Sequence, residues 1–452
     1  MNRLALAPRN HLALAPRGCL FRPIDGASLA AFRIAFGAVL LVAVARYFAL
    51  GWIEQFFVRP SFFFPYEGVA WLAPLPAAGM YAVFALMGAS ALGILLGLFY
   101  RPSVILFGTA FSYAHLIDKS NYLNHYYLVS LLCLLLAFLP AHRVWSLDAL
   151  RDPSLRSRPV RAWAVDLLRF QLAAVYFFGG LAKLNHDWLF EAEPLRIWLA
   201  ANSDLPVVGP LLESTWVAYA FSWAGLAFDL LMPVLLFRRK TRAVAYVCVV
   251  GFHAMTAALF PIGIFPWLMI ALTPIFFSAD WPRRAIGAAP GRIGGAESTV
   301  LPSLFHRRFA TALLAGYAML QVVVPLRHLF DGGDLQWTER GFRFSWQVMA
   351  MEKYGKADFR VTDPRSGRTW TVRPQTYLTP MQARMMATQP DMLASFAHFL
   401  AGEYAARGMP DVEVRADVYV SLNGRPNRRF VDPRVNLAAA DAAADGRGWI
   451  LP

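Results

Sequence analysis

Tyr176-Phe-Phe-Gly-Gly-Leu-Ala-Lys183-Leu-Asn-His-Asp-Trp188 closes an apolar run that starts near residue 163. Between Phe170 and His186, Lys183 is the only basic residue. A run of this length is what a helix needs to cross the hydrocarbon core of a bilayer. A lysine set against apolar surroundings is costly to keep charged, which favours the neutral amine, a base. The competing reading is a snorkelling lysine at a span end, its ammonium reaching the interface.

Outward from this segment, similar runs recur along the 452 residues. Hydrophobic residues make up 57% of the chain and charged residues 16%, with a mean hydropathy of +0.42, which excludes an ordinary soluble globule. Nine spans are expected, at about 27–48, 79–99, 101–117, 122–140, 163–182, 216–237, 242–259, 261–278 and 306–326. The aromatic and proline-rich stretch 51–76 reads as an interfacial or re-entrant loop. The net charge of +14 does not call for nucleic acid, because the basic residues cluster in short loops between apolar segments. Cys19, Cys133 and Cys248 form no disulfide framework, and no metal spacing is present, so no metal is expected.

The loop charges set an orientation. Loop 141–162 carries five arginines against two aspartates. Loops 238–241 and 279–305 are also basic, whereas loop 184–215 has five acidic residues and only Arg196 as a lysine or arginine. The positive-inside rule then places the N-terminus in the cytoplasm and the region after about Phe330 outside it.

Three parts follow: a disordered basic arm over 1–26, a helical membrane domain over 27–328 and an extramembrane domain over 329–452. The arm repeats Leu4-Ala-Leu-Ala-Pro-Arg9 as Leu12-Ala-Leu-Ala-Pro-Arg17. In the last part, Phe359-Arg-Val-Thr, Thr369-Trp-Thr-Val and Val412–Val420 alternate as strands do, with a turn at Asp363-Pro-Arg-Ser-Gly367. Met381–Arg407 has helical spacing. The fold class is therefore mainly α, a polytopic helical membrane bundle with a small C-terminal α+β domain.

In this topology Lys183, His125 and His253 lie towards the outer interface, with Asp118 and Lys119 in the turn before His125. Ionisable groups at membrane depth are functional candidates by default. For His125 and His253 the bland reading is a packed polar residue, hydrogen-bonded across spans. Asp118 and Lys119 can also form a turn-level ion pair, and Trp346, Phe342 and Phe344 are open to ordinary packing. His186 and Asp187 alone are weak evidence for a metal. No GxSxG, Walker loop, HExxH or GxGxxG competes.

Eight segments carry a resemblance, in order: Asp118-Lys-Ser-Asn-Tyr-Leu-Asn124-His125-Tyr-Tyr-Leu, Trp145-Ser-Leu-Asp148, Tyr176–Trp188, Phe252-His253 through Phe265, Ser278–Arg283, Pro325–Phe330, Phe344–Met349 and Phe430–Val435. Together they resemble vitamin K-dependent γ-glutamyl carboxylase and its bacterial relatives, from about Arg22 to Leu437. The resemblance implies oxygenation of vitamin K hydroquinone, or another reduced naphthoquinone, to its 2,3-epoxide. That reaction yields a strong base, which removes a γ-proton from glutamate before carbon dioxide adds. O2 and CO2 are the co-substrates, and a glutamate-containing protein or peptide is the partner, with membrane lipid around the bundle.

By position in the motifs, Lys183 is implied as the catalytic base, His125 as an active-site histidine and His253 as a third catalytic candidate. Asn124, Tyr176, Trp188 and Trp346 are the expected quinone-binding residues. Compared with the animal enzymes, Ala182 stands where a second lysine precedes the catalytic one, Asn185 replaces an aspartate, and the region Phe62–Leu75 lacks a cysteine. The chain also ends soon after the matched Asp432-Pro-Arg434 segment, which leaves propeptide recognition in doubt. The Ala- and Arg-rich composition points to a bacterial cytoplasmic membrane; in a eukaryote the same topology would be that of the endoplasmic reticulum. Two other readings stay open: a quinol epoxidase without carboxylation, and a non-enzymatic lipid- or quinone-binding scaffold.

Overall fold

The computed structural model describes residues 20–158, 160–289, 303–330, 333–440 and 448–452. Residues 1–19, most of the expected arm, lie outside the described residues. Leu20–Gly26, the rest of it, are not a free tail. Strand β1 (Pro23–Ile24) pairs antiparallel with β2 (Val160–Arg161), and the Ala162 and Trp163 amides donate to the Arg22 and Leu20 carbonyls. For these residues the expectation of disorder is corrected.

Apolar runs fold as helices because a bilayer offers no water to backbone groups, so each segment must satisfy its own. In chain order the helices are α1 (Ala27–Ala49), α2 (Ala77–Leu96), α3 (Tyr100–Leu116), α4 (Asn124–Phe138), α5 (Ala162–Leu181), α6 (Thr215–Phe237), α7 (Arg242–Leu259), α8 (Phe265–Leu272) and α9 (Leu304–Leu326). Among the described residues, α1, α2, α5, α6, α7 and the α9 segment are long and apolar enough to cross a membrane. Six of the nine expected spans are thus of this kind. The other three segments form shorter helices, of 17 residues in α3, 15 in α4 and 8 in α8. At a rise of about 1.5 Å per residue, α4 covers about 22 Å, less than a hydrocarbon core of about 30 Å. It starts at Asn124 because Tyr122 and Leu123 are extended, after the 3-10 turn over Lys119–Asn121 that Asp118 caps. The segment of α8 passes into a 3-10 turn at Thr273–Phe276, which carries Pro274 in its first turn.

One apolar core joins α1 to α8. The α1–α2 contact is so close that a Cβ on Gly37 would lie 2.5 Å from the Leu95 amide nitrogen. Arg33 is wholly buried in α1, donating to the carbonyls of Ile94 and Leu95 at 2.6 Å and of Ala141 at 3.1 Å. Ile94 and Leu95 lie in the last turn of α2 and Ala141 in a loop, so the guanidinium fixes three elements at one end of the bundle.

The C-terminal domain is built on an antiparallel sheet in the order β4-β3-β5-β6: β3 (Lys353–Thr362), β4 (Thr369–Val372), β5 (Glu413–Leu422) and β6 (Arg428–Arg429). Val412–Val420 alternates as expected, with Val414, Ala416, Val418 and Val420 buried. The expected helix over 381–407 forms as two, α10 (Pro380–Met386) and α11 (Pro390–Ala406), because Pro390 follows an extended Gln389. Phe62 and Phe64, from the stretch expected to be interfacial or re-entrant, pack into this domain instead.

Ion pairs clamp the two parts. Asp391 takes Lys119 and Arg343, each at 2.8 Å. Burial alone would push its carboxyl up, but the two cations outweigh burial and hold it at about 2. The alternative of an Asp118–Lys119 ion pair is not what forms: Asp118 accepts from the Ser120 amide and Gln382. On the other flank, Asp187 accepts from Asn423 at 2.7 Å and Arg425 at 2.5 Å.

Candidate active site

Helix α5 ends at Leu181, and Lys183 follows in the turn that its amide closes onto the Gly180 carbonyl. Its side chain folds back into the bundle. Lys183 Nζ donates to Asp229 Oδ2 at 2.9 Å, to the Gly179 carbonyl at 3.0 Å and to the Val348 carbonyl at 3.0 Å. Trp188 covers it, with Nζ 5.2 Å from the ring centroid. In place of a snorkelling side chain, Lys183 has an inward geometry and is buried. Three acceptors match the three N–H donors of an ammonium.

Asp229 is the residue that sequence reasoning missed. It stands in the middle of α6 among Phe228, Leu230 and Leu231, and is buried. An acid inside an apolar span was itself a legible signal of function. The Gly179-Gly180 pair explains how α5 meets it: a Cβ on Gly180 would lie 3.1 Å from Asp229 Cβ.

Lys183 and Asp229 line an apolar cavity of about 190 Å³ with Tyr176, Trp188, His253 and Phe265. Tyr176 Oη and His253 Nε2 share a hydrogen bond of 3.0 Å from α5 to α7. Trp188 Nε1 donates to the Ser222 carbonyl at 2.8 Å, which fixes the indole. Asn185 accepts from the Trp188 amide at 3.0 Å, a helix cap that a carboxylate would also make.

His125 does not share this cavity. It lines a neighbouring one of about 510 Å³ with Asn124, Arg46, Tyr126 and Met381, the last from α10 of the C-terminal domain. Ile262, Phe265, Val348 and Met349 line both cavities and form the wall between them. Phe265 stands between the two histidine rings, 5.9 Å from His125 and 5.7 Å from His253 by centroid. Asn124 lines the larger cavity and donates to the Gln347 carbonyl at 3.1 Å.

Trp346 is fully buried, its ring 4.9 Å from that of Tyr127, and it lines neither cavity. It orders the connecting loop from which Gln347 and Val348 face the bundle. The structure therefore brings Lys183, Tyr176, Trp188 and His253 together, sets Asn124 and His125 next door, and keeps Trp346 behind the wall. Among the described residues, no group of three or more His, Cys, Asp or Glu side chains is placed to hold a metal ion.

A family model described as HTTM domain matches residues 21–281. A second, described as Vitamin K-dependent gamma-carboxylase, lumenal domain, matches residues 306–452. No solved structure matches the chain.

Proposed function

The chain belongs to the vitamin K-dependent gamma-carboxylase family, and from that premise we propose that it oxygenates a reduced vitamin K-type hydroquinone and carboxylates glutamate. The observation that carries this reading is a pair of cavities with one wall, a buried lysine in one and a histidine in the other. Such a pair suits two substrates that must react without mixing with water.

The Lys183 cavity fits the ring of a hydroquinone. Its lining is apolar and aromatic, from Val175, Phe221, Phe252 and Phe265, with a few convergent polar groups. Tyr176 and His253, already bonded to each other, would orient a hydroxyl near Lys183 Nζ. Lys183 takes the proton from that hydroxyl. Oxygenation of the hydroquinone supplies a base strong enough to remove a proton from a glutamate γ-carbon, whose carbanion then adds carbon dioxide, and burial of the site keeps water from quenching the base.

The larger cavity reaches Met381 and Asn121 on the side of the outer domain. A glutamyl side chain delivered from that side meets Arg46 and His125, which offer charge and a hydrogen bond to its carboxylate. The basic loops at 141–162, 238–241 and 279–305 support a cytoplasmic N-terminus and an outer domain on the opposite face.

The test is direct. Purified full-length protein in lipid nanodiscs receives reduced vitamin K, oxygen, labelled bicarbonate and a glutamyl peptide. Epoxide formation together with labelled peptide is expected. Epoxide without label would leave the epoxidase alone, and neither product would remove the proposal.

A further inference from the structure

The hydrogen bonds of Lys183 pose a chemical problem. With all three donors engaged, the nitrogen presents no lone pair to a substrate, so it must lose a proton before it can act as a base. Two of its acceptors, the Gly179 and Val348 carbonyls, cannot hold a proton. The third, Asp229 Oδ2 at 2.9 Å, can.

We propose that Asp229 is the proton acceptor behind Lys183, so that the lysine relays a proton from the hydroquinone to a buried carboxylate. The step rests on the reaction proposed above and balances as follows. The Lys183 ammonium gives one proton to Asp229, breaking an N–H bond and forming an O–H bond, which leaves an amine beside a carboxylic acid. The amine then takes the hydroquinone's hydroxyl proton, which leaves an ammonium beside the new anion. Net charge in the site is zero before and after, which a low-dielectric interior favours over any path that leaves one charge unpaired.

The surroundings fit a relay rather than an exposed ion pair. Both side chains are buried, and Gly179 and Gly180 let α5 approach the acid closely. The titratable groups lining the same cavity are Tyr176 on α5 and His253 on α7, and these two are bonded to each other. Lys183 is the one ion-pair partner of Asp229 among the described residues.

A structural counter-ion predicts the opposite behaviour. If Asp229 only held the lysine charged, Asp229→Asn would free the amine and leave epoxidation at neutral pH unchanged or faster. A relay predicts that D229N lowers epoxidation by at least about 100-fold, with no recovery as the pH is raised, and that Asp229→Glu regains most of it. The second readout does not depend on turnover. Without oxygen, reduced vitamin K added to the wild-type protein should bring up the infrared C=O stretch of a protonated carboxylic acid. That rise should be absent in D229N, which lacks the acid, and in Lys183→Ala, whose unpaired buried acid is protonated from the start, and present in D229E. A wild-type protein that forms epoxide yet shows no such band, or a D229N protein as active as wild type, overturns the relay alone. A wild-type protein that forms no epoxide removes the underlying reaction as well.

Discussion

The Val348 carbonyl accepts a hydrogen bond from Lys183 Nζ at 3.0 Å, so the loop leading into the C-terminal sheet touches the candidate base. One residue earlier, the Gln347 carbonyl holds Asn124 beside His125. This loop is bent by backbone that non-glycine residues rarely adopt, with positive φ at Phe344, Trp346 and Met349. Each costs of order 1–3 kcal/mol and persists only where its surroundings impose it. The Trp346 ring in the middle of this loop is fully buried against Tyr127.

Trp346→Ala should therefore do more than open a cavity. Truncating a fully buried tryptophan costs about 3–5 kcal/mol, read as a lower unfolding temperature in detergent. Both epoxidation and carboxylation should fall together, because the loop anchors both cavities. An unchanged unfolding temperature would show that the indole does not brace the loop.

Tyr176→Phe removes the partner of His253 Nε2 without changing the ring's volume. A buried polar atom left unpaired costs about 1–3 kcal/mol, measurable by thermal unfolding. Epoxidation should drop about 10-fold, a loss of one orienting hydrogen bond at about 1.4 kcal/mol. If turnover is untouched, the Tyr176–His253 bond is structural only.

His125→Ala should separate the two half-reactions. Labelled carboxylate on the peptide is expected to fall at least about 100-fold, the scale of a lost acid–base or charge-stabilising group, while epoxide formation falls much less. Equal loss of both products would place His125 on the quinol instead.

Asp391→Asn strips the clamp between the bundle and the C-terminal domain. Lys119 and Arg343 would be left buried and unpaired, a cost of about 3–5 kcal/mol. The pH dependence has a fixed sign. The carboxyl is held at about 2 in the folded protein, below its ordinary value of 3.8. Its contribution is therefore complete above the ordinary value and is lost as pH falls from there towards about 2. Wild type and variant should differ in unfolding temperature throughout the neutral range and converge only in strong acid. A difference that vanished near neutral pH would contradict the ion-pair assignment.

Much of the bundle was legible because hydropathy alone marks where backbone must be internally bonded, and Lys183 was legible as a cation at the end of such a run. The short helices were not. Asp118 caps a turn and Pro274 stands in a 3-10 turn, and local chemistry of this kind divides or shortens a span that length and hydropathy treat as whole. Asp229 was written in the sequence as an acid among leucines and phenylalanines, but its partner 46 residues earlier became visible only through the α5–α6 contact. The separation of His125 from Lys183 had no sequence signal, since it depends on Ile262, Phe265, Val348 and Met349 meeting from two distant segments. Trp346 shows the reverse case, where a motif residue expected to touch the quinone shapes the loop behind it.

The central claim is that Lys183 is the base that starts quinol oxygenation. Its most direct measurement is epoxide formed from reduced vitamin K and oxygen by purified wild-type and Lys183→Ala protein, with folding of both checked by thermal unfolding. The account predicts epoxide from the wild type and a loss of at least about 100-fold in the variant. A folded Lys183→Ala protein that forms epoxide at the wild-type rate would contradict it.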